Sequence, residues 1–255
     1  MSTVVMTRMR ALGRAELTLL LRNRTALFTA MLMPLLFVFL TRMSVTDEAL
    51  DATGFSAGGL VLSGGLGIVL VLVVYSNLVA SFVARREELL LKRLRTGEPS
   101  DGEILGGTAL PSVAIGLTQC AVLVVAGVLA LDVPAPARVD VLLAGLLLGA
   151  LMMTALAAAT SAFTKSAESA QLTVLPLMML SLIGSGLMVP LEVMPDGLAA
   201  VARLLPLSPV MELVRHGWLG EGDGLDVLRA LGLSVVWCAL AVFAVRRWFR
   251  WEPRR

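Results

Sequence analysis

Gly54, Phe55, Ser56, Ala57 and Gly58 satisfy G-x-S-x-G, the pattern that lifts a hydrolase serine onto a strand-to-helix elbow. Such a serine needs a base, and the chain's single histidine, His216, stands far along the sequence. No alternating strand pattern precedes Ser56, which opens a long apolar run instead, so no triad is expected. Gly54 and Gly58 read better as a small-residue helix contact, and so do Gly145 and Gly149. Ser185, between Gly184 and Gly186, is equally remote from a base. Lys165 and Ser166 form the only Lys-Ser or Lys-Thr pair, and no glycine in Ala159 to Thr164 precedes it to cradle a phosphate, which argues against a Walker loop. Cys120 and Cys238 lie in separate apolar segments and read as buried free thiols, not as a disulfide or metal pair.

What carries these residues is a membrane chain. With 57% hydrophobic residues, 16% charged and a mean hydropathy of +0.86, 255 residues are too apolar for an ordinary soluble domain and too many for one anchor. Ala52 to Ala84 contains no formal charge, and a helix of that length more than spans a roughly 30 Å hydrocarbon core. Further runs with few or no charges lie at Thr25 to Thr41, Ile104 to Leu131, Val141 to Thr164, Ser169 to Leu191 and Ala230 to Val245. The expected fold is therefore an all-α integral membrane bundle of six transmembrane helices, forming one domain over 1–255. No secretory signal is expected, because no small-residue cleavage site follows the first apolar run.

No Asp, Glu or His stands in the middle of any of these runs, whereas carriers driven by protons or sodium usually keep one there. The polar groups inside are mild. Tyr75, Asn77, Gln119, Ser181 and Ser185, with Met188, Pro190, Met194 and Pro195 at the end of the fifth run, are the candidates for a pathway or gate. Energy for active transport would then enter from another polypeptide.

Six crossings place both termini on one side. That side carries Arg8, Arg10, Arg14, Arg22, Arg24, Arg85, Arg86, Lys92, Arg93, Arg95, Lys165, Arg246, Arg247, Arg250, Arg254 and Arg255, against only Arg42, Arg138, Arg203, Arg215 and Arg229 opposite. The positive-inside rule makes the richer side cytoplasmic. Residues 1–24 interleave these arginines with leucines and suit an amphipathic interfacial helix. Between spans five and six, the outer connection 192–226 shows helical spacing at Leu198, Val201 and Leu205, then at Val210, Leu213, Val214 and Trp218. Two short interfacial or re-entrant helices divided by Pro206 and Pro209 are expected there.

The inner segment 85–99 is the candidate docking handle. Glu88 and Lys92 stand at i,i+4 with Leu90 and Leu94 on a neighbouring face, and Gly97 and Pro99 stop the helix. The interleaved acids Glu87 and Glu88 suit a protein groove better than an anionic lipid patch.

The layout resembles the permease subunits of type 2 ABC exporters, the group that includes bacterial drug, antibiotic and polysaccharide exporters. The resemblance rests on Leu21, Arg22, Asn23, Arg24 before the first span and on Arg86, Glu87, Glu88 through Leu94, Arg95 with Gly97 and Pro99. It continues in Gly186 to Pro195 and in Leu205, Pro206, Leu207, Ser208, Pro209 followed by Arg215, His216, Gly217. The resemblance implies an N-terminal connecting helix, a coupling helix after the second span, short helices shaping an outer gate, and two permeases around a central path. Arg86, Glu87, Glu88, Leu90, Leu91, Lys92 and Leu94 would then couple to a separate cytoplasmic ABC ATPase.

The function expected is the membrane subunit of an ATP-driven exporter in a bacterial plasma membrane, with both termini cytoplasmic. Its partners would be the ATPase, a second permease copy (identical or a paralogue), the lipid bilayer, and a hydrophobic drug-like or lipid-linked substrate. Nucleic acid, cofactors and an ATPase site of its own are not expected. The alternatives are an intramembrane enzyme acting on lipid or peptide, and a membrane scaffold without transport.

Overall fold

The computed structural model describes residues 57–97, 99–130, 133–187, 194–220 and 222–252, with isolated positions at 18 and 36. The expected N-terminal interfacial helix, the span at Thr25 to Thr41, Gly54, Ser56, and the gate candidates Met188 and Pro190 lie outside the described residues.

The described chain is helical, with no strand. Helix α1 (Ala57–Val69) passes into a π-helical stretch (Leu70–Ser76) and on into α2 (Asn77–Glu87), all as one crossing. After a turn come the short α3 (Leu90–Arg95), then α4 (Asp101–Ala130), α5 (Val139–Phe163) and α6 (Ala167–Gly184). The outer pair α7 (Asp196–Arg203) and α8 (Ser208–Leu219) and the long α9 (Gly224–Trp248) complete the bundle. Leu62–Glu87, α4, α5, α6 and α9 are each long and apolar enough to span. These are the second to sixth expected crossings.

Local chemistry sets the ends. Ser100 and Glu103 open α4, with the Ser100 amide donating to Glu103 Oε2 at 2.7 Å and the Glu103 amide meeting Ser100 Oγ at 3.4 Å. This starts α4 a few residues before the apolar run at Ile104. Ser166 and Ser169 form the same reciprocal cap on α6, and Asp223 and Asp226 on α9.

Leu62–Glu87 is the central crossing, mostly enclosed by its neighbours, whereas α4, α6 and α9 leave most of their surface open. Since lipid tails are as apolar as leucine, packing between these helices depends on close approach. Gly145 of α5 lies against Leu213 and Val214 of α8, and Gly149 against Leu70 and Val210, as the small-residue reading expects. Gly217 of α8 is nearer still: a Cβ there would stand 2.5 Å from the Leu142 amide nitrogen. At the same place the Arg138 amide donates to the Gly217 carbonyl at 2.9 Å and the Ala137 amide to that of Trp218 at 3.1 Å.

The outer pair bends by 93° between its two helices, with Pro206 in the break and Pro209 in the first turn of α8. The two helices behave differently. On α7 the small Ala199 and Ala202 are buried, while Leu198 and Val201 are 63% and 62% exposed. On α8 Val210, Leu213, Val214 and Trp218 are all buried among α1, α5 and α9. Thus α7 has the character of an interfacial helix, and α8 enters the bundle.

Candidate functional site

At one end of the bundle the Arg85 segment divides residue by residue. Arg86 is the largest fully buried side chain among the described residues, and its guanidinium donates to the Ser161 carbonyl at 2.7 Å and the Thr164 carbonyl at 2.6 Å. These are carbonyls of the last turn of α5, so a cation sits at the negative end of that helix. Glu87 reaches the other way: its Oε2 accepts from the Ala167 amide at 3.3 Å, at the positive end of α6. Two adjacent side chains of α2 thereby fasten the junction between α5 and α6. The helix accordingly runs on through Glu87, past the end of the uncharged run.

The turn follows. Leu89 adopts φ 58°, the only non-glycine positive φ among the described residues, and its side chain is 40% exposed. A leucine held in the left-handed region costs about 1–2 kcal/mol relative to a glycine and an apolar side chain at a loop apex gains nothing from water. Leu91 is fully buried beneath it. Glu88, Leu89, Lys92, Arg93 and Arg95 are exposed, and Leu90 and Leu94 partly so. The expected Glu88–Lys92 pair does not form, because the turn separates Glu88 from α3. Lys92 Nζ instead lies 2.7 Å from Glu252 Oε1. Arg95 stacks 4.8 Å over the Trp251 ring and pairs with Asp101 at 3.1 Å. Phe249 bridges Phe82 of α2 and Trp251 edge to face. Residues 249–252 therefore strap the end of α9 to α3, leaving a groove of about 620 Å³ between Lys92, Arg95, Thr96 and Arg250, Trp251, Glu252. Nothing in the local pattern at Phe249 or Trp251 points to this, because their partners are far away in sequence.

At the opposite end, α8 holds the C-terminus of α6. Ser208 Oγ donates to the Ala202 carbonyl of α7 at 2.5 Å and lies 3.4 Å from Ser185 Oγ and 3.5 Å from the Gly184 carbonyl. Arg215 Nη2 meets the Ser185 carbonyl at 3.4 Å, and Gly186, at φ 70°, takes the backbone past that guanidinium, which lies 2.9 Å from where a Cβ would stand. Ser208 and Arg215 were not among the sequence candidates; the glycine at the end of an apolar helix was the available signal. Ser181 is buried one turn before Ser185. Met194 is partly buried, and Pro195 is exposed as the N-cap of α7.

The remaining candidates stand apart. Tyr75, in the π-helical stretch, is fully buried and its hydroxyl lies 3.1 Å from Thr160 Oγ1. Gln119 is buried on α4. Asn77 is exposed on a mostly enclosed crossing, with about 15 Å of helix between it and Glu87, which puts an amide near the middle of the hydrocarbon layer.

Several apolar helices long enough to cross, a strapped charged turn at one end and a sharply bent helix pair at the other define a multi-pass α-helical membrane protein. The chain belongs to the ABC-2 family transporter proteins, matching that family over residues 41–246. No curated protein matches it. It is accordingly the membrane subunit of an ABC exporter, the transport part and not the ATPase.

Proposed function

We propose that this chain forms half of the translocation path of an ATP-driven exporter in a bacterial plasma membrane, with the Arg85 end cytoplasmic and a separate ABC ATPase docking on α3 and the turn before it. Family membership carries the reading, and the observation that supports docking here is Leu89, a strained and exposed apolar apex flanked by Glu88, Lys92 and Arg93. Of the coupling residues named from sequence, Glu87, Glu88, Leu90, Lys92 and Leu94 offer surface to a partner, while Arg86 and Leu91 are buried behind it, Arg86 on the carbonyls at the end of α5. A second permease copy, identical or paralogous, covers the exposed Asn77, because an amide near the bilayer centre calls for a protein or aqueous neighbour. The pair α7 and α8, with Ser185, Met194 and Pro195, forms the outer gate. The cargo is a hydrophobic drug-like compound, with a lipid-linked saccharide as the second choice.

The test is purification of the full chain with its ATPase and reconstitution in vesicles. Glu88→Lys combined with Leu89→Asn reverses a charge and removes the apolar apex without touching the core, and asparagine accepts the left-handed backbone. Copurified ATPase and stimulated hydrolysis should fall together, by about 10-fold or more, a loss of about 1.4 kcal/mol in association. Native mass measurement of the wild type should find two permease copies. An ATPase that stays bound and stimulated in the double variant would overturn the docking assignment.

A further inference from the structure

At the Arg85 end, α5 stops at Phe163 and α9 at Trp248. Both rings are exposed, 58% and 50%, and tilt against each other with centroids 6.4 Å apart. Beside them runs a groove of about 300 Å³ lined by Ala162, Phe163, Arg247, Trp248, Phe249 and Arg250. Arg247 and Arg250 are exposed and make no ion pair among the described residues. The neighbouring groove on α3 differs, because Glu252 and Asp101 offset Lys92 and Arg95 there. The α5–α9 groove is thus purely cationic on its polar side and aromatic on its apolar side, and it lies where two spanning helices leave the hydrocarbon.

We propose that this groove binds the headgroup of an anionic phospholipid in the leaflet facing the Arg85 end. Arginine guanidinium suits phosphate because its planar fork donates to two oxygens at once. Phe163 and Trp248 sit at the depth where aromatic rings favour the boundary between headgroup and acyl chain. Basic pockets between transmembrane helices on the cytoplasmic side are suited to anionic headgroups. Arginines serving only as topology anchors would snorkel into water singly and would not need a groove with aromatic walls. A protein partner would be better matched by the mixed charges of α3. The arginines of the site, Arg247 and Arg250, lie beyond the residues matched by the family, 41–246, and the proposal does not depend on the exporter reading.

The probe is phosphatidylglycerol, compared with phosphatidylcholine of the same acyl chains, titrated into the detergent-purified full chain and followed by native mass spectrometry. The wild type should hold phosphatidylglycerol preferentially. R247Q/R250Q should weaken it about 25-fold, roughly fivefold for each arginine, with phosphatidylcholine unchanged. R247K/R250K should keep most of the preference. Should R247Q/R250Q fail to fold, R250Q alone, beyond the end of α9, reads the same loss at about fivefold. Equal binding of the two lipids by the wild type overturns the proposal, as does a preference that survives R247Q/R250Q. Displacement of the lipid by millimolar inorganic phosphate would also overturn it, by assigning the groove to a free anion.

Discussion

Arg86 and Leu89, three positions apart, do opposite things. Arg86 satisfies carbonyls that the end of α5 leaves open, through charge-assisted bonds of 2.7 and 2.6 Å in a buried setting. Arg86→Gln should therefore lower the stability of the bundle by about 3 kcal/mol, measured as a drop in thermal unfolding temperature in detergent. Arg86→Lys should recover only part of this, because an ammonium cannot present a planar fork to two carbonyls. Glu88→Lys, on an exposed carboxylate, should leave that stability within about 0.5 kcal/mol of wild type. Leu89→Asn should relieve left-handed strain and hold or slightly raise stability while weakening ATPase association. A merely structural Leu89 would instead leave association unchanged.

Among the elements, α8 decides how the outer half is built. It meets α5 at backbone distance through Gly217, so the crossing tolerates no side chain there. Gly217→Ala places a methyl group against the Leu142 backbone, which cannot swing away as a side-chain tip would, and should cost about 1–3 kcal/mol. Gly232→Ala on α9 is the control: nothing lies within 4 Å of its Cβ position, and the helix gains up to about 1 kcal/mol from the lost glycine flexibility. Thermal unfolding of the two variants side by side should therefore move in opposite directions. Equal behaviour would mean that α8 does not enter the bundle at this depth. Arg215 ties α8 to the end of α6 and Ser208 ties it to the Ala202 carbonyl of α7, which joins the outer pair to the end of a span, as the proposed gate would require.

At the scale of the whole molecule, the ends of the helices sort themselves without reference to the cell. Arg86 joins the end of α2 to that of α5, Trp248 and Phe163 join α9 to α5, and Trp251 joins α9 to α3. Opposite them, Arg215 joins α8 to α6, and Ala137 pairs with Trp218. In the proposed topology the first end, richer in arginine, faces inward. A cysteine placed at Asp223 should react with an impermeant maleimide added to intact cells, and one at Thr96 only after permeabilisation. Both positions are exposed, so labelling reads sidedness and not burial. Reaction at Thr96 in intact cells would invert the topology and with it the position of the ATPase.

The crossings Leu62–Glu87 through α9 were legible in the sequence because burying a charge in hydrocarbon costs several kcal/mol, a penalty each residue imposes locally. Pro206 and Pro209 likewise marked the break in the outer connection, since proline constrains its own backbone. The membrane class, the candidate spans and the likeness to an exporter subunit all rested on signals of this local kind. The tertiary structure alone decided that Arg86 turns inward beside the outward Glu88, and that Leu213 is buried while Leu198 faces out. It alone brought Trp251 onto Arg95. A leucine against lipid and a leucine against protein satisfy the same hydropathy, and an arginine at a helix end serves equally in water or on a neighbour's carbonyls. Only the identity of the neighbouring helix separates these outcomes, and that is set by packing between segments distant in the chain.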